Sequence, residues 1–281
     1  ITRFAPSPTG PLHLGHAYSA ILAHDMARAA GGQFLLRIED IDRQRSKPEW
    51  EAQIYEDLRW LGLSWAGPVL RQSDRLTIYR PTLENMWEQG LLYACTCSRR
   101  DIEAAAAAPQ EGVPVGPDGI VYPGTCRARG ARRPGQPLPQ AALRLRMDLA
   151  ARDCSFEEIG PAHRGLQRIT RAQMIRDVGD IVLARREMGT SYHLSVVLDD
   201  AAQGITHVTR GEDLFEATSI HVTLQKLLEL PTPTYCHHKL IRDENGKRLA
   251  KRDNARAIAK YRAEGATPAD IRRLVGLIPS A

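Results

Sequence analysis

The sequence predicts an α/β fold in which a doubly wound parallel sheet is interrupted by an insertion. Short apolar segments alternate with helix-length segments, and strands and helices in this order form parallel sheets with helices on both faces. A turn rich in proline and glycine separates the first strand from the first helix. Between residues 92 and 146 the alternation gives way to alanine-, proline- and arginine-rich sequence, which indicates an insertion rather than a part of the sheet.

Residues 1–91 are predicted to form the first half of this sheet. Gly31 and Gly32 end the first helix, because glycine is favoured just after a helix C-terminus. Ser46 and Glu49 have the spacing of a capping box at the start of the second helix, and Pro81 should kink or split the third. The predicted elements are a strand at 1–6, a helix at 16–30, a strand at 33–39, a helix at 47–61 and a helix at 74–89.

The insertion is predicted to occupy residues 92–146, and the sheet resumes after it. An alanine run at 104–108 is the low-complexity segment of this insertion. Residues 147–240 are assigned to the second half of the sheet, and residues 241–281 to a basic loop followed by short helices. The elements predicted here are strands at 142–149, 155–159 and 235–240 and helices at 219–229, 254–264 and 268–276.

The composition limits the classes of protein and partner. Lysine and arginine total 38 against 33 acidic residues, and the net charge of +5 allows a polyanionic partner without requiring one. No apolar run approaches the ~18 residues of a membrane span, so we expect no membrane partner. An odd number of cysteines, five, argues against a disulfide framework and favours the reducing cytoplasm. We expect no signal peptide, although the sequence starts at Ile1 rather than at a methionine.

Residues 3–16, RFAPSPTGPLHLGH, carry the strongest functional signal. They predict a strand end, a stiff turn and a helix N-terminus, where unpaired backbone N–H groups and the helix dipole favour phosphate. His13 and His16 are three residues apart, so their side chains meet on the first helical turn. Gly15 between them has no Cβ, so a flat ring can approach the backbone there. A proline-rich turn with ordinary polar histidines is the structural alternative.

Three cysteines in the insertion indicate a metal site. Cys95 and Cys97 are followed about thirty residues later by Cys126, and thiolates suit tetrahedral zinc. A small segment without a core of its own also gains stability from such a metal. The fourth ligand is open at this point, because no histidine lies between 97 and 126. Three unconnected thiols are the alternative interpretation.

Four other candidate ligands are interpreted as structural. Cys154 and Cys236 have no partner at ligand spacing, and free cysteines usually behave as small buried hydrophobes. His237 and His238 are adjacent on a predicted strand, so their side chains should point to opposite faces. We therefore expect no metal at this histidine pair.

The chain resembles the class I aminoacyl-tRNA synthetases in their glutamate form. Residues 13–16 stand where that class has its HIGH signature, and residues 248–252, RLAKR, resemble a degraded KMSKS signature that keeps only the central Lys251. RIED at 37–40 and THVTRGED at 206–213 are also similar to glutamyl-tRNA synthetases, and the resemblance covers about residues 1–265. It implies a Rossmann-type catalytic domain, an inserted zinc-binding acceptor-type subdomain, a short helical C-terminal region and no anticodon-binding domain.

The resemblance implies that a carboxylate oxygen of L-glutamate attacks the α-phosphorus of ATP to form an adenylate, with Mg²⁺ present. Such a site needs positive charge and fixed donors more than a base. The implied catalytic residues are His13, His16 and Lys251, and the implied ATP contacts are His13, Gly15, His16, Arg248, Leu249 and Lys251. The implied glutamate contacts are Arg3, Phe4, Ala5, Pro6, Ser7, Glu39, Tyr192 and Arg210. The implied zinc ligands are Cys95, Cys97, Tyr122 and Cys126, holding one structural Zn²⁺.

Two structural alternatives remain for these charged residues. Arg3 and Arg210 can instead pair with the protein's own acids, and for Arg210 the neighbouring Glu212 and Asp213 are available. The segment GKRLAKRD at 246–253 can be a solvated basic loop, since Ala250 replaces the serine of the family signature and Arg248 its first lysine.

Among members of the class, the short glutamyl-queuosine tRNA(Asp) synthetases match best. The resemblance to them implies transfer of glutamate to the queuosine base in the anticodon of tRNA(Asp), by a cytoplasmic enzyme that we expect to be a monomer. A trimmed glutamyl-tRNA synthetase that charges tRNA(Glu) is the first alternative. A non-catalytic RNA-binding protein with decayed nucleotide sites is the second, and the departure from KMSKS favours it weakly.

Overall fold

The structure is a computed structural model that describes residues 1–107, 113–241 and 256–277. The strands are β1 (Thr2–Phe4), β2 (Phe34–Ile38), β3 (Leu70–Arg71), β4 (Leu92–Cys95), β5 (Val115–Gly116), β6 (Gly119–Ile120), β7 (Ala142–Leu145), β8 (Cys154–Glu158), β9 (Gly165–Ile169), β10 (Val182–Ala184), β11 (His207–Gly211) and β12 (Thr234–His238). The helices are α1 (Leu14–Ala29), α2 (Pro48–Trp60), α3 (Leu76–Glu88), α4 (Arg99–Ala106), α5 (Met147–Ala150), α6 (Arg171–Gln173), α7 (Tyr192–Ala202), α8 (Thr218–Leu227), α9 (Ile258–Ala263) and α10 (Pro268–Val275). None of these helices has the length and apolar character that crossing a membrane requires.

Parallel strands form the centre of the molecule. β1 pairs in parallel with β2, and β2 with β3, while β11 pairs in parallel with β12, and β12 with β8. The two groups meet because the carbonyl of Ile1 accepts the backbone N–H groups of Thr206 (3.0 Å) and His207 (3.1 Å). β9 closes the far side as an antiparallel partner of β8. The predicted α/β fold with a parallel sheet is confirmed.

Strands β4 and β7 of the insertion form a separate antiparallel sheet together with β10, which lies beyond the predicted end of the insertion at residue 146. β7 pairs antiparallel with both β4 and β10, and β5 and β6 form a short antiparallel hairpin. A long loop is tied to this sheet where Ala94 donates its N–H to the carbonyl of Gly130 (2.9 Å). A Cβ on Gly130 would lie 1.9 Å from that Ala94 carbonyl oxygen, so only glycine fits at this contact.

Two apolar clusters hold the helices on the sheet. One joins α1, α2 and α10 to β1 and β2, and small residues on α1, such as Ala17 and Ala20, let the helix lie close to its neighbours. The other joins α3, α7 and α8 to β7, β8, β11 and β12, with Trp87 and Tyr235 among its fully buried side chains. Because the carboxyl ends of parallel strands meet at one edge, this packing gathers their terminal residues into one site.

Several predicted boundaries are wrong in detail. The helix predicted at 16–30 begins at Leu14, because His13 itself serves as its N-cap. Ser46 does not cap α2: Lys47 is the N-cap, no side-chain hydrogen bond is made there, and Pro48 supplies a preset helical φ at the first position. A turn of 3₁₀-helix at Gln72–Arg75 precedes α3, which continues through Pro81 without a break. Buried residues on both sides of Pro81 hold the helix in place.

Two errors concern strands at the end of the insertion and after it. The strand predicted at 142–149 ends at Leu145, since residues 147–150 turn into the short helix α5. The backbone N–H of Met147 donates to Asp180 (2.9 Å), which starts this turn. β9 was not predicted, because its alternation LQRI is short and half exposed.

Candidate active site and cysteine cluster

The start of α1 is capped by its own two histidines. The Nδ1 atom of His13 accepts the backbone N–H of Gly15 (3.1 Å), and the Nδ1 atom of His16 accepts the backbone N–H of His13 (3.1 Å). The two ring centres are 3.8 Å apart. A Cβ on Gly15 would lie 3.0 Å from Cε1 of His13, so the ring that approaches this glycine is that of His13.

This cap sets the tautomers of both rings. A neutral imidazole whose Nδ1 accepts a hydrogen bond carries its proton on Nε2. His13 and His16 therefore present Nε2–H donors at a helix N-terminus, the place where phosphate oxygens are favoured. As their spacing predicts, the two side chains meet on one helical turn.

The segment that carries the KMSKS-like sequence is flanked by residues that contact α1. On one side, Nε2 of His238 lies 2.7 Å from Oγ of Ser19. On the other side, Ala257 bridges to His13, and Ile258 donates its N–H to the carbonyl of Leu12 (2.9 Å). The predicted residues Lys247, Arg248, Leu249, Ala250, Lys251 and Arg252 lie outside the described residues.

A cavity of about 620 Å³ lies beside the ends of β1 and β2. Of the predicted glutamate contacts, Ser7, Glu39 and Tyr192 line it. The other predicted contacts, Arg3, Phe4, Ala5, Pro6 and Arg210, are not among its lining residues. Pro6 is buried, and its carbonyl accepts the N–H of Glu39 (3.0 Å), which fixes the turn against the end of β2.

A buried ion cluster underlies Glu39. Asp200 binds one edge of the Arg3 guanidinium in a bidentate contact, with Nε 2.9 Å from Oδ1 and Nη2 3.2 Å from Oδ2. Arg37, which is fully buried, donates to Asp200 (2.7 Å), to Gln203 (2.9 Å) and to Glu39 (3.3 Å). Arg3 therefore pairs with an acid of the protein itself, which was the structural alternative for this residue.

The cluster shifts the pKa values of Glu39 and Asp200 in opposite directions. Burial raises the pKa of Glu39, and the nearby Arg37 and Arg3 only partly offset this. Burial acts in the same direction on Asp200, but the attraction of Arg3 and Arg37 outweighs it and lowers the pKa of that carboxyl. Asp200 is thus the fixed counter-ion of the cluster.

Arg210 has a different environment from Arg3. Its Nε donates to Nε2 of His237 (3.0 Å), its Nη1 to Nδ1 of His221 (2.9 Å), and its Nη2 to the hydroxyl of Thr218. The residue is only 6% exposed, yet among the described residues no carboxylate lies within 4.0 Å of its guanidinium. Glu212 and Asp213 are therefore not its partners. His237 in turn is held by Glu158, which contacts its Nδ1 at 2.5 Å.

Tyr192 brings these groups together. It lines the cavity, and Glu39, Arg210 and Arg3 all lie close enough to act on its hydroxyl. Burial raises the pKa of Tyr192, and the charge of Glu39 adds to this effect while the two arginines oppose it. The predicted residues Arg3, Glu39, Tyr192 and Arg210 thus lie near one another, although they come from four separate parts of the chain.

Three members of the site were missed in the sequence. Arg37 and Asp200 each interrupt an apolar element, in FLLRI and SVVLDD, and a charge in such a place is a signal of a buried pair. His221 lies on the apolar α8 in the same way. The sequence alone does not show that these residues meet, because their contacts join distant parts of the chain.

The predicted metal ligands also converge. The Sγ atoms of Cys95, Cys97 and Cys126 lie within 4.8 Å of one another, and Oη of Tyr122 lies 3.5 Å from Cys95 and 3.3 Å from Cys97. Ligand atoms of a tetrahedral zinc site are separated by about 3.8 Å, as Zn–S bonds of ~2.3 Å require. The donor set therefore fits such an ion in number, chemistry and spacing. His237 and His238 form no such cluster in the described part of the chain.

Two arginines surround the cysteine cluster. Arg129 donates to Sγ of Cys126 (3.2 Å), and Arg144 donates to Sγ of Cys95 (3.4 Å) while its guanidinium lies 3.9 Å from the ring centre of Tyr122. Burial opposes ionisation of Cys126, but hydrogen bonds from Tyr122 and Arg129 bring the pKa of that thiol down to about 5. The surroundings thus favour a thiolate, the form that binds metal.

Comparison with known proteins agrees with this geometry. A family model described as "tRNA synthetases class I (E and Q), catalytic domain" matches residues 1–279. The Glutamyl-Q tRNA(Asp) synthetase of Rhodobacter capsulatus is 78% identical over 99% of this chain and 100% of the relative. A protein of the same name from Nocardia farcinica is 44% identical, over 97% of this chain and 82% of the relative.

A solved structure shows the same architecture. The crystal structure of a glutamate tRNA ligase from Elizabethkingia meningosepticum in complex with its amino acid matches 98% of this chain, with a TM-score of 0.76 and 28% sequence identity. The chain spans 60% of the length of that ligase.

The neutral histidines at Arg210 predict a loss of stability in mild acid. Burial, followed by the charge of Arg210, holds the pKa of His221 well below 6.5, so the unfolded chain takes up a proton there that the folded chain does not. Stability contributed by this group is complete above about pH 6.5 and falls as the pH drops below it, by at most ~1.4 kcal/mol per pH unit. Urea unfolding at pH 5 to 8 should show this slope, and His221→Asn should reduce it. An unchanged slope in the variant would contradict the assignment.

Proposed function

Because the chain belongs to the class I tRNA synthetases of the glutamate and glutamine type, we propose that it activates L-glutamate with ATP and transfers it to the queuosine base in the anticodon of tRNA(Asp). The relatives named Glutamyl-Q tRNA(Asp) synthetase support this acceptor, since one of them is 78% identical over its whole length. The reaction begins at the cavity beside β1 and β2.

Arg210 is the observation that carries the proposal. A buried guanidinium without an acidic partner is costly unless an anion binds it. Within the described ranges, the contacts with His237, His221 and Thr218 use three of its five N–H donors, leaving one on each Nη atom. A carboxylate of glutamate accepts two such donors side by side, which a neutral side chain does not.

The charges around the pocket favour glutamate over glutamine. Arg3 and Arg37 balance the charges of Glu39 and Asp200, and the nearby Arg210 adds one positive charge to the group. Glutamate at neutral pH has one net negative charge and balances it, whereas glutamine has none. We assign Glu39 to the α-ammonium group, since a cation there offsets the burial that raises its pKa. We assign Arg3 to the other carboxylate, next to Asp200.

The chemistry needs fixed donors at the phosphate. A carboxylate oxygen of glutamate forms a bond to the α-phosphorus, the bond from that phosphorus to the β-phosphate bridge breaks, and pyrophosphate leaves. His13 and His16, with protons on Nε2, donate to the oxygens on which charge accumulates. Lys251 is proposed to neutralise the phosphates from its loop, together with Mg²⁺ that accompanies ATP. The acceptor on tRNA then attacks the glutamyl carbonyl and releases AMP.

We propose one structural Zn²⁺ bound by Cys95, Cys97, Tyr122 and Cys126. The ion would join β4 to the loop at 122–126 through metal–ligand bonds. The small sheet of the insertion has no such bonds without it. Four such ligands would carry more negative charge than zinc neutralises, and Arg129 and Arg144 lie where they offset the excess. We further propose that the protein is a monomer. We place it in the cytoplasm, where tRNA is available and thiols stay reduced.

A glutamyl-tRNA synthetase that charges tRNA(Glu) is the second candidate, favoured by the match to the glutamate tRNA ligase structure. One experiment separates the two candidates. The purified chain is incubated with labelled glutamate, ATP and single tRNA species, and the position of the label is determined by nuclease mapping. We expect label on the anticodon stem-loop of queuosine-containing tRNA(Asp) and glutamate-dependent pyrophosphate exchange without any tRNA. Label at the 3′ end of tRNA(Glu), or exchange that requires tRNA, would support the second candidate.

Replacing Arg210 tests the glutamate pocket. Arg210→Ala removes the charged partner of a buried substrate carboxylate, which costs about 2–5 kcal/mol, so kcat/KM for glutamate in pyrophosphate exchange should fall by roughly 30-fold or more. Arg210→Lys should restore little of it, because an ammonium lacks the planar fork. The control is Arg80→Ala, which removes an exposed arginine paired with Glu84. Near-normal kcat/KM in both Arg210 variants would place the pocket elsewhere.

Metal analysis tests the cysteine cluster. Protein purified without chelator should contain one zinc per chain, and Cys97→Ser should lose it and lower the Tm. Cys154→Ser is the matched control, since that thiol lies outside the cluster. We expect the loss of zinc to affect the stability of the insertion more than adenylate formation. Zinc retained by a variant in which Cys95, Cys97 and Cys126 are all serine would refute the assignment.

A further inference from the structure

A chain of hydrogen bonds connects Arg210 to the insertion. Nη1 of Arg210 contacts Nδ1 of His221 (2.9 Å), Nε2 of His221 contacts Nδ1 of His193 (3.1 Å), and Nε2 of His193 contacts Oδ1 of Asp118 (3.2 Å). His221 is 2% exposed and His193 8%, whereas the Asp118 side chain is 43% exposed. The chain therefore runs from the interior of the molecule to its surface.

The direction of every bond in this chain is determined by its two ends. A guanidinium only donates and an ionised carboxylate only accepts. His221 must then accept from Arg210 at Nδ1 and donate from Nε2–H to His193. His193 accepts that bond at Nδ1 and donates from its own Nε2–H to Asp118. Both imidazoles are neutral in this arrangement, and the low pKa of His221 agrees with it.

Asp118 occupies a fixed position between two cavities. It lies in the turn between β5 and β6, and it lines both the 620 Å³ cavity and a neighbouring one of about 510 Å³ that extends to Cys95, Cys97 and Tyr122. The hairpin packs tightly against the backbone at Asp177, since a Cβ on Gly116 would lie 2.1 Å from the carbonyl oxygen of that residue. After the hairpin, Tyr122 bridges to Gly179.

We propose that His193 and His221 are positioning residues that connect Asp118 to Arg210, so that the hairpin of the insertion sets the orientation in which Arg210 receives glutamate. This inference rests on the proposed function, since it assumes that Arg210 binds the substrate carboxylate. The insertion then belongs to the amino-acid recognition apparatus, and a change at Asp118 alters the affinity for glutamate.

The test compares His193→Leu with His193→Gln in glutamate-dependent pyrophosphate exchange. Leucine breaks the chain at both bonds, whereas the glutamine amide offers one acceptor and one donor and keeps it. We expect the leucine variant to raise KM for glutamate by about tenfold, as the loss of a hydrogen bond to a charged group implies, with kcat and KM for ATP changed by less than about twofold. The glutamine variant should stay close to the wild type. A wild-type KM for glutamate in the leucine variant would overturn the proposal.

Asp118→Ala provides a second arm that does not disturb the interior. It should raise KM for glutamate in the wild-type background and have no further effect in the His193→Leu background, because the chain is already broken there. Glu103→Ala, which removes another exposed acid of the insertion, is the control and should change neither parameter. Equal effects of Asp118→Ala in both backgrounds would overturn the proposal. If His193→Leu does not fold, an unchanged KM for glutamate in Asp118→Ala alone would overturn it.

The outcomes separate this inference from the function on which it rests. A wild-type protein without glutamate-dependent exchange would refute both. An active wild type that loses activity on Arg210→Ala but is indifferent to Asp118→Ala and His193→Leu would leave the proposed function standing and refute the connection alone.

Discussion

The compensation of buried arginine charge is the constraint on which the rest of the structure depends. Asp200, at the end of α7, binds Arg3 from β1 and Arg37 from β2, and it thereby attaches the helix of the second half of the sheet to the strands of the first. Such a pair is expensive to bury, and removing one partner costs far more than the pair contributes. The same constraint is the reason that we propose Arg210, with three neutral acceptors and no acid in the described structure, as the residue that binds a substrate carboxylate.

The repeating architecture could be predicted from the sequence because it depends on local pattern. Apolar segments identified the parallel strands β1, β2, β8 and β12, though not β3 or β11, and the HLGH turn identified the helix start to within two residues. The capping box at Ser46 was a wrong prediction for a physical reason: Pro48 already fixes the first helical φ, so a side-chain cap is dispensable. Where two local preferences compete at the end of a helix or strand, the sequence pattern predicts that boundary poorly.

The site was predictable in its residue types but not in its pairings. The resemblance indicated Arg3 and Arg210 together as carboxylate ligands, and only the fold distinguishes them, because Asp200 lies 197 residues from Arg3 in sequence. The link from His193 to Asp118 spans 75 residues and joins helix α7 to the insertion, a contact that no spacing rule anticipates. The cysteine cluster was easier to predict, since thiols have few other uses at such spacing in a reduced protein.

The histidine cap of α1 has a consequence for proton transfer. Both Nδ1 atoms are already engaged by backbone N–H groups, and both Nε2 atoms carry hydrogen, so neither ring has a basic nitrogen left to accept a proton. A flip of either ring would uncap the helix, which ties the orientation of each imidazole to the integrity of α1. The two histidines are thus hydrogen-bond donors, and in the proposed transfer step the proton of the acceptor hydroxyl has to go to a group other than these two imidazoles.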